Sequence, residues 1–155
     1  EFAKAGGIVD LTTGMGPFDD IEKYGIKTAT ALRLMLENDV PIERIQFSSD
    51  GQGSLPVFDE NKKLVELEVG SVETLFAEVR EAVLKEGVPL DVALKVVTSN
   101  VADNLKLGSK GRLKKGLDGD ITILEKDGLQ VRHVVAKGEL VVRDGVPTKL
   151  GTFEK

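Results

Sequence analysis

Apolar residues at Val72, Leu75, Phe76, Val79 and Val83 fall at i, i+3, i+4, i+7 and i+11, which predicts an amphipathic helix with Ser71 as its N-cap and Gly87 at its end. A second helical pattern runs from Thr28 to Glu37, with Ala29, Leu32 and Leu36 among its apolar positions and Asn38 as its stop. Short apolar runs flank it, Ile8 to Thr12 and Ile45 to Phe47. Residues 7–48 therefore read β-α-β, with a crossover long enough to set the two strands parallel. The stretch 50–63 is polar, carries Gly and Pro, and reads as a long loop. Pro89 opens a further helix with Leu90, Ala93, Leu94 and Val97 on one face, and Thr98-Ser99-Asn100 caps a short closing helix from Val101 to Leu105.

Beyond Leu107 the pattern changes. Glycines punctuate short β-branched runs at Ile121–Leu124, Val131–Val135 and Leu140–Val142, and Lys137-Gly138 reads as a tight hairpin turn. The expected organisation is an α/β region over 1–107 and a small β-domain over 108–155. The latter has too few strands for an independent core and is expected to pair with strands from elsewhere. The chain starts without methionine in what reads as the tail of a helix, closed by Gly6-Gly7, which suggests a fragment.

Composition narrows the function classes. The chain has 155 residues and a net charge of −5, which argues against nucleic acid as a partner. Lys106, Lys110, Arg112, Lys114 and Lys115 form the one basic cluster and read as a solvated loop face. The glutamates 66, 68, 73, 78, 81 and 86 read as a solvated face with helix-terminal charge. No apolar run approaches the roughly 20 residues of a membrane span, so no membrane association is expected. The chain has no cysteine, which excludes disulfides and thiolate metal sites and fits a cytoplasmic location.

The stretch with the sharpest chemistry is Ser48-Ser49-Asp50-Gly51-Gln52-Gly53-Ser54. It puts a carboxylate at the C-terminal end of a strand, where α/β proteins display reactive side chains, followed by two glycines expected to turn the backbone sharply. An Asp-Gly pair is also an ordinary turn. Thr12 and Thr13 end the preceding strand and carry no assigned role. The single histidine, His133, sits mid-strand in the β-region and reads as a structural residue. Asp118 and Asp120 read as turn and strand-entry residues, because the spaced oxygen set of a calcium loop is absent.

The order of these segments resembles the C-terminal part of an amidohydrolase-superfamily enzyme. The tail Gly111-Arg112-Leu113-Lys114-Lys115-Gly116-Leu117-Asp118-Gly119-Asp120, followed by Val134 to Gly145, is shared widely in that superfamily. Phe47 to Ser54 and the ending Leu150-Gly151-Thr152-Phe153-Glu154 are more particular and resemble isoaspartyl dipeptidases, over essentially the whole chain. The sequence departs from the broader superfamily at Val101, where proline is usual.

The resemblance implies an α/β fold: the C-terminal part of a (β/α)8 metal-dependent hydrolase barrel, with its last two strands, plus strands of a small β-domain. It implies hydrolysis of β-aspartyl dipeptides with two zinc ions as cofactor, most of whose ligands would lie outside this chain. By the same resemblance Asp50 ligates zinc, takes a proton from the metal-activated water and passes it to the leaving amine. Ser54 hydrogen-bonds the substrate α-carboxylate, and Gly51 and Gly53 let backbone amides approach the ligand. The partners implied are a small β-aspartyl peptide, the missing N-terminal half of the same protein and further copies in a homo-oligomer. These residues alone are then expected to be inactive and to bind zinc weakly. A dihydroorotase-like or deacetylase-like hydrolase, or a non-enzymatic interaction module using the 50–63 loop, are the alternative readings.

Overall fold

The computed structural model describes residues 1–13 and 25–150, those at 55 and 68 by backbone alone. The loop expected at 14–17 and the ending 151–154 lie outside the described residues. The chain divides into two compact units, Glu1–Val101 and Ala102–Lys155.

The first unit is organised on a parallel pair, β1 (Val9–Thr12) and β2 (Ile45–Ser48), in the register Val9↔Ile45 to Thr12↔Ser48. Helix α1 (Thr28–Glu37) lies between them in sequence, as the β-α-β pattern predicts. Side chains alternate along each strand, so one face of the pair carries Ile45 and Phe47, both buried, and the other carries Asp10, Thr12, Gln46 and Ser48. The apolar face packs on α1 through Ala29 and Leu32, on α2 (Thr74–Leu84) through Val79 and Ala82, and on the short α3 (Leu90–Ala93) with its following 3₁₀ turn (Leu94–Val97) through Ala93 and Val96. Leu32, Ile45, Val79 and Val96 are fully buried. Each such side chain contributes on the order of 1.5–3 kcal/mol through burial.

Helix ends follow local chemistry. Helix α1 stops where the Asn38 side chain donates to the Leu34 carbonyl at 2.8 Å and Asp39 adopts a left-handed φ of 57°. Helix α2 begins at Thr74, later than Val72; the Ser71 hydroxyl accepts the Glu73 N–H at 3.2 Å in an extra turn before it. Pro89 precedes α3 as expected. The last helix, α4 (Ser99–Asn104), includes the residues expected to cap it. Asn100 instead donates to the carbonyls of Ile42 and Ile45, at 2.7 and 2.8 Å, and anchors the start of β2.

Two readings of this region are corrected. The stretch 50–63 is not a long loop: it enters an antiparallel hairpin, β3 (Ser54–Phe58) and β4 (Leu64–Val69), with Ser54 opposite Val69 and Pro56 opposite Leu67. Both are edge strands, which is why Pro56 is tolerated. Glu78 is not solvated: it is 3% exposed, and its carboxylate accepts the Ala29 N–H at 2.8 Å at the start of α1. Glu81 on α2 pairs with Lys27 at 3.0 Å, and Glu86, just past the end of α2, pairs with Arg33 at 2.6 Å.

The second unit is a four-stranded antiparallel sheet in the order β5 (Ile121–Leu124), β6 (Val131–Ala136), β7 (Glu139–Arg143) and β8 (Val146–Pro147). Lys137-Gly138 joins β6 to β7 with φ of 51° and 79°, and Asp144-Gly145 joins β7 to β8 with 51° and 77°. Positive φ at both central residues is the geometry that matches strand twist in two-residue hairpins. Ala102 and Leu129 are the buried apolar residues among those described in this unit, so the sheet encloses little core of its own. Parts of the basic cluster are paired rather than simply solvated: Lys110 binds both Asp118 and Asp120, and Arg112 grips Asp103 with two bonds of 2.8 and 2.6 Å. His133 accepts the Asp144 N–H on Nδ1 at 3.3 Å, a strand-level structural contact.

Candidate functional site

Strand β2 delivers the Ser48–Ser54 stretch to the end of the parallel pair. Beyond the strand, the buried Ser49 accepts the Gly51 N–H on its hydroxyl at 3.1 Å. Asp50 then takes a left-handed φ of 48°, and its carbonyl accepts the Gly53 N–H at 2.9 Å, closing a turn. Gln52, at φ 66°, is the second left-handed residue of that turn. The left-handed conformation thus falls on Asp50 and Gln52 and not on the two glycines, contrary to expectation. Aspartate and its relatives tolerate this region better than most side chains.

The glycines serve close approach instead. A Cβ on Gly53 would lie 2.8 Å from the Asp50 carbonyl oxygen and 2.9 Å from its Oδ1. A Cβ on Gly51 would meet Val72 at 2.5 Å and the Ser49 hydroxyl at 2.9 Å. The turn leads directly into the hairpin, whose base is closed by Gln52 N–H to the Gly70 carbonyl and Gly70 N–H to the Gly53 carbonyl, both 2.9 Å. Ser54, the first residue of β3, is exposed. Asp50, Gly51, Gly53 and Ser54 therefore share one turn and the foot of one hairpin.

The neighbouring strand end is tied to this turn. Thr13 is fully buried, donates its N–H to the Ser48 carbonyl at 2.7 Å, and shares a 2.8 Å hydroxyl hydrogen bond with Thr74. Thr28 donates to the Thr12 carbonyl at 2.9 Å. These threonines pin β1 to the starts of α1 and α2. On the polar strand face, Asp10 accepts from Gln46 at 2.9 Å and from the Ser48 hydroxyl in a short contact.

The carboxylate of Asp50 is exposed and takes no hydrogen bond or ion pair from the described residues. Such a carboxylate suits one oxygen position in the coordination shell of a zinc-like cation. Among the described residues no three His, Asp or Glu side chains come together in a metal-holding arrangement. Among the described residues the fit is that of a single ligand. Gly70 is the residue of this site that the sequence reading missed. Its signal was a glycine directly after the alternating run 64–69, at the point where a hairpin must close against its own beginning.

Among the described residues no helix is long and apolar enough to cross a membrane. Residues 17–141 match the model of the amidohydrolase family. A β-aspartyl dipeptidase from the thermophilic keratin-degrading Fervidobacterium islandicum AW-1, solved in complex with β-Asp-Leu dipeptide, is 37% identical with a TM-score of 0.79, over 97% of this chain and 37% of that chain. A second structure of a β-aspartyl dipeptidase from that organism gives 33% identity and a TM-score of 0.73, over 97% of this chain and 35% of that one. An N-acetylglucosamine-6-phosphate deacetylase from Pasteurella multocida shares the fold, with a TM-score of 0.61 at 17% identity, over 88% of this chain and 37% of that one. The chain spans little more than a third of the length of each of these proteins.

Proposed function

The chain belongs to the amidohydrolase family, and from that premise we propose that it is the C-terminal portion of a metal-dependent hydrolase that cleaves β-aspartyl dipeptides. In this reading residues 1–107 complete a (β/α)8 barrel and residues 108–155 contribute strands to a small β-domain. The observation that carries the proposal is Asp50: a carboxylate without a partner among the described residues, held in a left-handed turn at a strand end, in a chain 37% identical to a protein crystallised with β-Asp-Leu.

Asp50 would be one ligand of a zinc pair. The metal, when bound, supplies a polarised peptide carbonyl and an acidified water. The chain's own contribution is proton traffic and orientation. Asp50 would accept the proton of the attacking water and pass it to the leaving amine. Ser54, at the foot of the hairpin, donates its hydroxyl proton to the substrate α-carboxylate, a charge-assisted bond that fixes the dipeptide. Gly51 and Gly53 keep the turn free of side chains beside that path. The substrate, the two-zinc cofactor, assembly into a homo-oligomer and a cytoplasmic location are parts of this proposal.

The test is a steady-state assay of the full-length protein on β-Asp-Leu. Asp50→Asn is expected to lower kcat by about 10²–10⁴-fold, the usual contribution of a positioned acid–base group. Ser54→Ala is expected to raise KM about tenfold or more while kcat changes less, as for lost ground-state binding. An unchanged KM in Ser54→Ala would move the reading toward a deacetylase-like or dihydroorotase-like substrate. Full activity in Asp50→Asn would end it.

A further inference from the structure

Gly70 belongs to neither the Ser48–Ser54 stretch nor a helix cap, yet it is buried against the backbone of Asp50. A Cβ built on Gly70 would lie 2.4 Å from the Asp50 carbonyl oxygen and 3.2 Å from its carbonyl carbon. A Cβ built on Gly53 would lie 2.8 Å from the same oxygen and 2.9 Å from the Asp50 Oδ1. These separations are far inside the roughly 3.5–4 Å of normal non-bonded packing. At Gly70 the obstacle is backbone alone, which cannot swing away; at Gly53 it is the Asp50 carbonyl oxygen together with the Asp50 carboxylate. Neither glycine has a positive φ, so conformational freedom does not explain either one. What remains is contact. The base of the β3–β4 hairpin, closed by the Gln52–Gly70 and Gly70–Gly53 hydrogen bonds, seats two side-chain-free residues around one peptide oxygen.

We infer that Gly53 and Gly70 are positioning residues, a backbone clamp on the Asp50 carbonyl that fixes the φ of 48° and thereby the direction in which the Asp50 carboxylate points. The inference rests on the catalytic reading of Asp50 given above. It makes the hairpin base part of the reaction apparatus and gives Gly53 a role in holding Asp50, beside the ligand.

The experiment is a steady-state comparison on β-Asp-Leu in the full-length protein, with folding followed by circular dichroism. Gly70→Ala, at a glycine without a positive φ, is expected to lower kcat roughly 100-fold, the scale of a misplaced catalytic group. KM should stay within about threefold, because the change falls on the transition state. Asp50→Asn/Gly70→Ala should be no slower than Asp50→Asn. Gly108→Ala, at a glycine with open space and no positive φ, is the control and should match the parent enzyme. If Asp50→Asn is inactive while folded Gly70→Ala keeps the parent kcat, or if the double variant is slower still than Asp50→Asn, the clamp is overturned and the dipeptidase reading survives. If Asp50→Asn is fully active, the reading beneath it has failed instead. Should Gly70→Ala not fold, Gly53→Ala decides: a selective kcat loss supports the clamp, and an unchanged kcat overturns it.

Discussion

Glu78 shows how a single residue can look solvated in sequence and be structural in space. It lies on α2 among other glutamates, but α1 begins against it, and its carboxylate takes up the Ala29 N–H that the first turn of α1 leaves without an intrahelical partner. Glu78→Ala would strand that buried donor and is expected to destabilise the first unit by about 1–3 kcal/mol, read by urea unfolding. Burial raises the carboxyl pKa above 4.5, and neighbouring Glu81 adds to the rise; the Ala29 N–H, Lys27 and Lys85 pull it down less strongly. A carboxyl whose folded pKa is raised binds its proton more tightly when folded. Its stabilising share is full below the unfolded value and is lost as pH rises through the folded one. Glu78→Gln is therefore expected to gain on the parent protein as pH is raised from about 4 to 7. A stability gap that is flat with pH, or that moves the other way, would refute this. Asp50 differs in kind. Its place at a strand end was legible, because the apolar run before it and the polar turn after it are both local. The close contacts of its glycines were not, since they involve Val72 and Gly70, distant in sequence.

At the level of elements, legibility followed burial. The β1-α1-β2 unit has a one-sided core, so its apolar spacing carries through to Ile45, Phe47 and Leu32. The β3–β4 hairpin buries no such stripe: Phe58, Leu64, Val65, Leu67 and Val69 are all exposed, and Pro56 interrupts β3, so its pattern imitates a loop. The Lys137-Gly138 turn was legible from its glycine and its β-branched flanks. Lysine is a poor occupant of a left-handed position, and asparagine is favoured there. Lys137→Asn is expected to stabilise the sheet of the second unit by about 0.5–1 kcal/mol. The bond from the Lys137 N–H to Asp120, at 2.7 Å, is backbone-borne and survives the change. Thermal unfolding with a midpoint at or below that of the parent protein would count against it.

At the scale of the molecule, Asp50 is the one carboxylate of the Ser48–Ser54 turn, and no cluster of metal-holding side chains is found among the described residues. The polypeptide 1–155 alone is therefore expected to show no turnover of β-Asp-Leu and only weak zinc binding by isothermal titration. Catalysis, or two tightly held zinc ions per chain, would contradict this. The two-faced β1–β2 pair has a bearing on reassembly. Its Ile45 and Phe47 side is already satisfied by helices, while its Asp10, Thr12, Gln46 and Ser48 side presents directional donors and acceptors. An unrelated greasy sheet laid on that side would trap Asp10 away from water with only neutral donors, at a cost of several kcal/mol. In a split-protein complementation experiment, the pair would accordingly act as a lock that reads polarity: it admits a matching half bearing hydrogen-bonding side chains and turns away generic hydrophobic surfaces.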